Sequence, residues 1–114
     1  MKIQYEKIEN ILLVKFFGEI DHHYTEEIRE KIDREFAKSY AKNILFDFSD
    51  VDFMDSSGIG MIIGRYKLTK EIGGETLAFG LKDSAKRIFE MSGLLKLIPI
   101  FKTKEDAINV ALGR

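Results

Sequence analysis

The 114-residue chain has no cysteine, a single proline and only two histidines. Without cysteine there is no disulfide, no thiolate nucleophile and no cysteine-ligated zinc, and the chain is compatible with any redox compartment. Charge of one sign is missing too. Lys and Arg number 18 against 19 Asp and Glu, a formal net charge of -1, so the sequence carries no overall basic field of the kind that draws a protein to nucleic acid or anionic membranes. Neither is expected as a partner. Apolar runs stay well short of the ~20 residues that a spanning helix needs, and MKIQYEKIEN lacks the apolar centre of a secretory leader. A cytoplasmic protein without membrane insertion is the expectation.

What is present is a core. With 45% hydrophobic and 11% aromatic residues, the chain suits one compact domain over 1–114, since single domains commonly run about 100 to 150 residues. Residues 2–8 (KIQYEKI) alternate apolar and polar, and 11–17 (ILLVKFF) are β-prone; Glu9-Asn10 between them is short enough for a hairpin turn. From Tyr24 the period changes, because Tyr24, Ile28, Ile32 and Phe36 recur every four residues as on one helix face. Residues 43–48 (NILFDF) have the length and composition of a central strand covered on both faces. The acidic stretch SDVDFMD reads as a loop. Ile59, Ile62, Ile63 and Tyr66 then fit a helix ended near Ile72 by Gly73-Gly74.

The remainder continues the alternation. Thr76 to Phe79 is a short strand, and Asp83 or Ser84 can cap a helix that carries Ala85, Ile88 and Phe89 and closes at Ser92-Gly93. Ile98 to Phe101 holds Pro99, which belongs at a sheet edge or a strand start. Thr103 caps a last helix, with Glu105 and Asp106 well placed in its first turn. The order ββαβαβαβα predicts an α/β domain with a mixed, mainly parallel sheet.

Several chemical motifs fail on inspection. A dinucleotide fingerprint starting at Gly58 and Gly60 needs a third glycine where Ile63 stands, and a P-loop needs a lysine and a hydroxyl residue where Arg65-Tyr66 follow Gly64. No phosphate-cradling loop remains, and no cofactor is expected. Gly60 and Gly64, one turn apart, instead predict close approach of this helix to the sheet or to a partner, since a helical glycine costs about 0.5 to 1 kcal/mol relative to alanine. Asp50 and Asp52 begin a calcium-loop pattern that Met54 breaks; Met54 likewise breaks the pattern of an aspartyl-nucleophile phosphatase. His22 and His23, placed on a strand, would point to opposite faces, and no third nitrogen ligand accompanies Asp21, so no metal site is expected. Ser56 sits between Asp55 and Ser57 rather than in a nucleophile elbow. No catalytic residue emerges, and the chain is not expected to be an enzyme.

The serines admit two readings. The helix begins at about Ser57 or Gly58, so Ser56 or Ser57 is its N-cap, a contribution of typically about 1 kcal/mol. A phosphate on that serine would equally meet free amide groups at the positive helix end, and would place roughly -1.5 to -2 charges beside Asp55. Periodicity does not choose between cap and switch.

Residues 18–23 (GEIDHH), 53–67 (FMDSSGIGMIIGRYK), 72–75 (IGGE) and 86–98 (KRIFEMSGLLKLI) together resemble the STAS family, the sulfate transporter and anti-sigma antagonist domains, in its sporulation branch. The likeness spans essentially the whole chain. It implies that the unmodified protein binds the anti-sigma F factor, a dimeric ATP-dependent protein kinase, and so releases the sporulation sigma factor. It further implies that this kinase phosphorylates the first serine of DSSG, here Ser56, and that a serine phosphatase of the sporulation pathway reverses the modification. By the same resemblance Glu19 and Asp21, with Asp55, Ser57, Gly58 and Ile59 at the helix start, form the partner-facing surface. Two other readings stand beside it: a STAS regulator serving a different switch kinase, such as one of a general-stress pathway, and a nucleotide-binding module, for which no local motif speaks.

Overall fold

The structure, a computed structural model, describes residues 1–114. Lys2–Ile8 (β1) and Ile11–Ile20 (β2) form the opening hairpin in antiparallel register from Lys2 opposite Phe17 to Ile8 opposite Ile11. The turn between them is tight enough that Glu9 takes a positive φ of 51°. Thr25–Ser39 (α1) leads to Asn43–Met54 (β3), which pairs in parallel with β2. Ser57–Glu71 (α2), Thr76–Phe79 (β4), Asp83–Ser92 (α3), Ile100–Phe101 (β5) and Lys104–Ala111 (α4) complete the chain. The five strands lie in the order β1-β2-β3-β4-β5, with every pair after the hairpin parallel. This is the ββαβαβαβα order that the sequence pattern predicts.

The strand period of two sorts the core into layers. Leu12, Val14 and Phe16 of β2, with Ile44, Phe46 and Phe48 of β3 and Ala78 of β4, face Ile28 and Ile32 of α1, Met61 and Ile62 of α2, and Ala85 and Phe89 of α3. Their neighbours Ile11, Leu13, Leu45, Leu77 and Phe79 point the other way, where α4 contributes Ala107. Three helices therefore cover one face and a single short helix covers part of the other. Within the larger layer Phe16, Phe46 and Phe48 form a three-ring cluster, Phe16 stacking on each of the others with ring centroids 5.7 and 5.5 Å away. A further tie comes from Arg65, which is 5% exposed on α2. Its Nε lies 2.9 Å from Asp33 Oδ1 on α1, and its guanidinium donates to the Met61 carbonyl at 3.3 Å. The Nε and Oδ1 pair is not aligned as a hydrogen bond, so the contact between the two helices is ionic.

The structure corrects the bounds or cap of three elements. SDVDFMD is not a loop through Met54, because β3 continues to that residue, twelve residues in all. The strand is sustained by the far end of β2, where Gly18 with φ 99° and register shifts after Lys15 and after Gly18 keep the two strands paired as far as Ile20 opposite Met54. The second correction concerns the cap of α3: neither Asp83 nor Ser84 caps it, and Ser84 Oγ instead accepts a hydrogen bond from the Met54 amide at 3.4 Å. The last strand is also shorter than 98–101, because a 3-10 turn at Leu94–Lys96 takes up the chain and Pro99 precedes the two-residue edge strand.

Gly60 and Gly64 do not bring α2 close to the sheet. A Cβ at either would meet nothing within 4 Å. The close approach occurs at Gly58 instead, where an added Cβ would sit 2.6 Å from Met54 Cγ and 2.7 Å from its Sδ. With no packing to lose, Gly60→Ala and Gly64→Ala should each stabilise the isolated protein by about 0.5 to 1 kcal/mol through the helix propensity of alanine. Urea unfolding midpoints that fall rather than rise would contradict this.

Candidate functional site

Two stretches far apart in sequence meet at the carboxyl end of the parallel strands. Because Glu19 pairs with Phe53 and Ile20 with Met54, the chain leaving β2 (Asp21-His22-His23) runs beside the chain leaving β3 (Asp55-Ser56-Ser57). The junction is fixed by the Asp55 amide donating to the Ile20 carbonyl at 3.1 Å and by the His22 amide donating to Asp55 Oδ2 at 3.2 Å. A bound ligand in an open parallel sheet commonly lies at this end of the strands.

Asp55 organises the turn. Its Oδ1 accepts from the Ser57 amide at 2.9 Å and from the Ser57 hydroxyl, while its Oδ2 faces His22 Nδ1 at 3.5 Å. The capping role expected of a serine therefore belongs to the aspartate, through an Asx-type turn in which the side chain takes the amide two residues on. Ser56 occupies the N-cap position of α2 in a helical conformation, with φ -64° and ψ -18°, and makes no side-chain capping bond. It is exposed, whereas Ser57 is half-buried and its hydroxyl is engaged. Of the two neighbouring serines, only Ser56 presents an uncommitted hydroxyl.

The amides expected to be free are not. Ser57 N is taken by Asp55 Oδ1, Gly58 N by the Asp55 carbonyl at 3.1 Å and Ile59 N by the Ser56 carbonyl at 3.1 Å. The first turn of α2 offers the positive end of its dipole but no open nest of N–H donors.

The acids differ in how committed they are. Glu19 is exposed and forms no ion pair. Asp21 is half-buried and engaged, accepting from the His23 amide at 3.0 Å with His23 Nδ1 3.3 Å away. His22 and His23 lie in a turn rather than on a strand, and their rings stand side by side with centroids 4.0 Å apart, which corrects the expectation that they point to opposite faces. Gly58 is buried against Met54, and Ile59 is half-buried at the edge of the larger core layer. Of the six residues expected to face a partner, Glu19 is thus the most available, and Asp55 and Asp21 serve first to hold the turn.

Partial burial works to raise the pKa of the Asp55 carboxyl, but the hydrogen bonds from Ser57 and His22 outweigh it and hold the group below its ordinary value. A carboxyl whose pKa is lower folded than unfolded contributes stability that is fully present above about pH 4 and is lost as pH falls through the folded value. Asp55→Asn removes that contribution. The stability gap between wild type and Asp55→Asn, measured by urea unfolding, should therefore be widest near neutral pH and narrow as pH falls below the ordinary aspartate range; a gap constant with pH would contradict it.

Beside Ser56 lies a groove between the start of α2 and α3, lined by Phe53, Met54, Asp55, Ser56, Asp83, Ser84, Arg87 and Ile88. Its volume is ≈ 580 Å³. Phe53, 44% exposed, and Ile88 give it an apolar wall. Arg87 is its one cation and forms no ion pair. Sequence reading missed both Phe53 and Arg87, because Phe53 falls in the stretch taken for a loop and Arg87 carries no motif of its own.

The topology is that of a small α/β module with an exposed, unbonded serine hydroxyl at the carboxyl end of its sheet. The chain belongs to the STAS domain family, whose model matches residues 2–107. The anti-sigma F factor antagonist of Paenibacillus polymyxa is 34% identical over 109 residues, covering 96% of this chain and 93% of that protein. The anti-sigma-B factor antagonist of Bacillus subtilis (strain 168) is 30% identical over 109 residues, covering 96% and 98%. Among solved structures, the anti-sigma factor antagonist SpoIIAA in its unphosphorylated form superposes with a TM-score of 0.85 at 31% identity, over 99% of this chain and 98% of that one. SpoIIAA in the phosphorylated form superposes at 0.73, also at 31% identity, over 95% and 97%. No helix is long and apolar enough to cross a membrane.

Proposed function

We propose that this chain is an anti-sigma factor antagonist of the sporulation type: a regulatory protein that binds an anti-sigma F factor kinase in its unmodified form, frees the sigma factor, and is switched off by phosphorylation of Ser56. The observation that carries this reading is the difference between the two serines, the Ser56 hydroxyl being exposed and unbonded while that of Ser57 is held by Asp55. The relatives named as antagonists support it at the level of the whole chain.

In this reaction the chain is the substrate. The Ser56 Oγ attacks the γ-phosphorus of ATP, the bond from that phosphorus to the bridging oxygen of ADP breaks, and the hydroxyl proton passes to a base on the kinase. Magnesium and the phosphate-binding elements come from the kinase, since no phosphate-binding loop is present here. Glu19 and Asp21 meet basic groups on the partner and raise the rate and selectivity of encounter, with Asp55, Ser57, Gly58 and Ile59 completing the contact. A serine phosphatase of the same pathway removes the phosphate. The reaction takes place in the cytoplasm.

Incubation with a sporulation anti-sigma F factor and ATP, followed by mass-spectrometric mapping, tests the assignment. One phosphate on Ser56, absent from Ser56→Ala and retained by Ser57→Ala, is expected; modification mapped to Ser57 would overturn it. A second reading, service to a stress-type switch kinase, is favoured by the 30% identity to the sigma-B pathway antagonist. Affinities for the two kinds of anti-sigma factor, measured side by side, separate the readings.

A further inference from the structure

We propose that Arg87 is an intramolecular receptor for the phosphate on Ser56, so that modification draws α3 and the start of α2 together across the groove instead of leaving the phosphate on a bare helix end. This rests on the reading of Ser56 as the modified residue. The helix end by itself does not hold the group, because the amides of Ser57, Gly58 and Ile59 already have acceptors. The other basic side chains around the turn are also committed: His22 to Asp55, His23 to Asp21, Lys82 to Asp52 at 3.0 Å, and Arg29 to Glu26. Arg87 alone lines the Ser56 groove as an exposed cation without a carboxylate partner. A guanidinium on a flexible stem suits the task, since its forked donors match phosphate oxygens in pairs and it stays charged at any physiological pH.

The acids facing the same groove are Asp55 from the β3–α2 turn and Asp83 from the first turn of α3. With both ionised, a dianionic phosphate meets two like charges and one opposite one, and the guanidinium is what offsets them. Two consequences follow. The phosphate is turned toward α3 and away from the Glu19 side, and the apolar wall of Phe53 and Ile88 is narrowed by the bridge. A docking kinase then loses the groove as well as meeting added charge.

The test uses the full chain with phosphoserine placed at position 56 by genetic encoding, in wild-type and Arg87→Ala backgrounds, titrated by phosphorus NMR. An adjacent cation favours the dianion, so the second ionisation of the phosphate should fall about half a pH unit lower in wild type than in Arg87→Ala, the exposed setting reducing the larger shift of a buried pair. The difference should shrink as salt is raised, and Arg87→Lys should recover part of it. Equal ionisation in the two backgrounds, or a difference insensitive to salt, would overturn the proposal. Arg87 is exposed, so the variant should keep its fold, which circular dichroism confirms or denies before titration; if it is unfolded, Arg87→Gln takes its place. Because the phosphate is installed without a kinase, failure here leaves the kinase reading standing, and failure of the kinase to modify Ser56 leaves this measurement intact.

Discussion

Ser56→Asp is expected to weaken binding to the anti-sigma factor at least about tenfold, a loss of about 1.4 kcal/mol or more, while changing the stability of the free protein by no more than about 0.5 kcal/mol. The two halves of this expectation have separate physical origins. The hydroxyl of Ser56 is exposed and makes no side-chain bond, so removing it breaks nothing. An aspartate at an N-cap is favoured by the helix dipole, and that gain is offset by repulsion from Asp55 next to it. Binding has no such balance. The site already displays Glu19, Asp21 and Asp55, so a partner suited to it offers cations, and one carboxylate more would look helpful by charge count alone. The loss is expected because the new carboxylate must be desolvated at the contact with no cation arranged to pair with it. Like charges or unpaired ones at a buried contact cost several kcal/mol. Titration calorimetry of Ser56→Asp and Ser56→Ala against the same kinase checks it, with Ser56→Ala binding as wild type does. Equal affinity of Ser56→Asp and wild type would remove the switch from Ser56. A full phosphate should weaken binding further than the aspartate, because it carries more charge and bulk.

The relation between sequence and structure differs from element to element. The helices were legible from Ile28-Ile32, Ile59-Ile62-Tyr66 and Ala85-Phe89, because apolar residues three or four apart on the side turned to the core leave a plain period. The Thr103 cap was legible as well: its side chain accepts from the Asp106 amide at 3.1 Å. The second half of β3 was not. Its buried residues are Phe48, Val51 and Met54, spaced by three, which matches neither a strand nor a clean helix face. That spacing arises from the shifts in register against β2 around Gly18, a pairing between residues about 33 positions apart that no local window contains.

At the site the same division holds. Periodicity located the start of α2 correctly, but it could not decide which serine was committed. That choice depends on one carboxylate, Asp55, held in place by the His22 amide from the chain leaving β2. The roles of Asp21 and Glu19 likewise depend on which of them pairs with His23, and the groove containing Arg87 exists only once α3 is packed beside α2. Local pattern shows where elements begin, and the choice among neighbouring polar side chains is made by contacts across the fold.

The largest loss of stability from a single methyl group is expected at Gly74. Gly74→Ala should cost about 3 kcal/mol or more, at the upper end of what overpacking a well-filled site produces. The pair Gly73-Gly74 looks uniform in sequence, but the two positions are unlike. Gly73 has φ 77° with nothing within 4 Å of an added Cβ, so Gly73→Ala suffers only the conformational penalty of about 1 to 2 kcal/mol. At Gly74 the added Cβ would lie 1.6 Å from the Lys42 carbonyl oxygen and 3.3 Å from Asn43 Oδ1. Neither neighbour can move cheaply. The Lys42 and Asn43 amides both donate to the Asn10 carbonyl, Asn43 Nδ2 donates to Asn10 Oδ1 at 3.0 Å, and Asn43 Oδ1 accepts from the Glu75 amide at 2.8 Å. That cluster joins the hairpin turn, the start of β3 and the approach to β4, so displacing Lys42 by even 1 to 2 Å would pull on three strands at once. Gly74 is itself fixed from below, its amide donating to the Thr69 carbonyl at 2.7 Å. Urea unfolding of Gly73→Ala and Gly74→Ala compared with wild type decides the matter, and equal losses at the two glycines would show that conformation rather than contact governs both. Because this cluster lies at the opposite end of β3 from Ser56, folded Gly74→Ala protein should still be phosphorylated on Ser56, with the loss confined to the fraction that is folded.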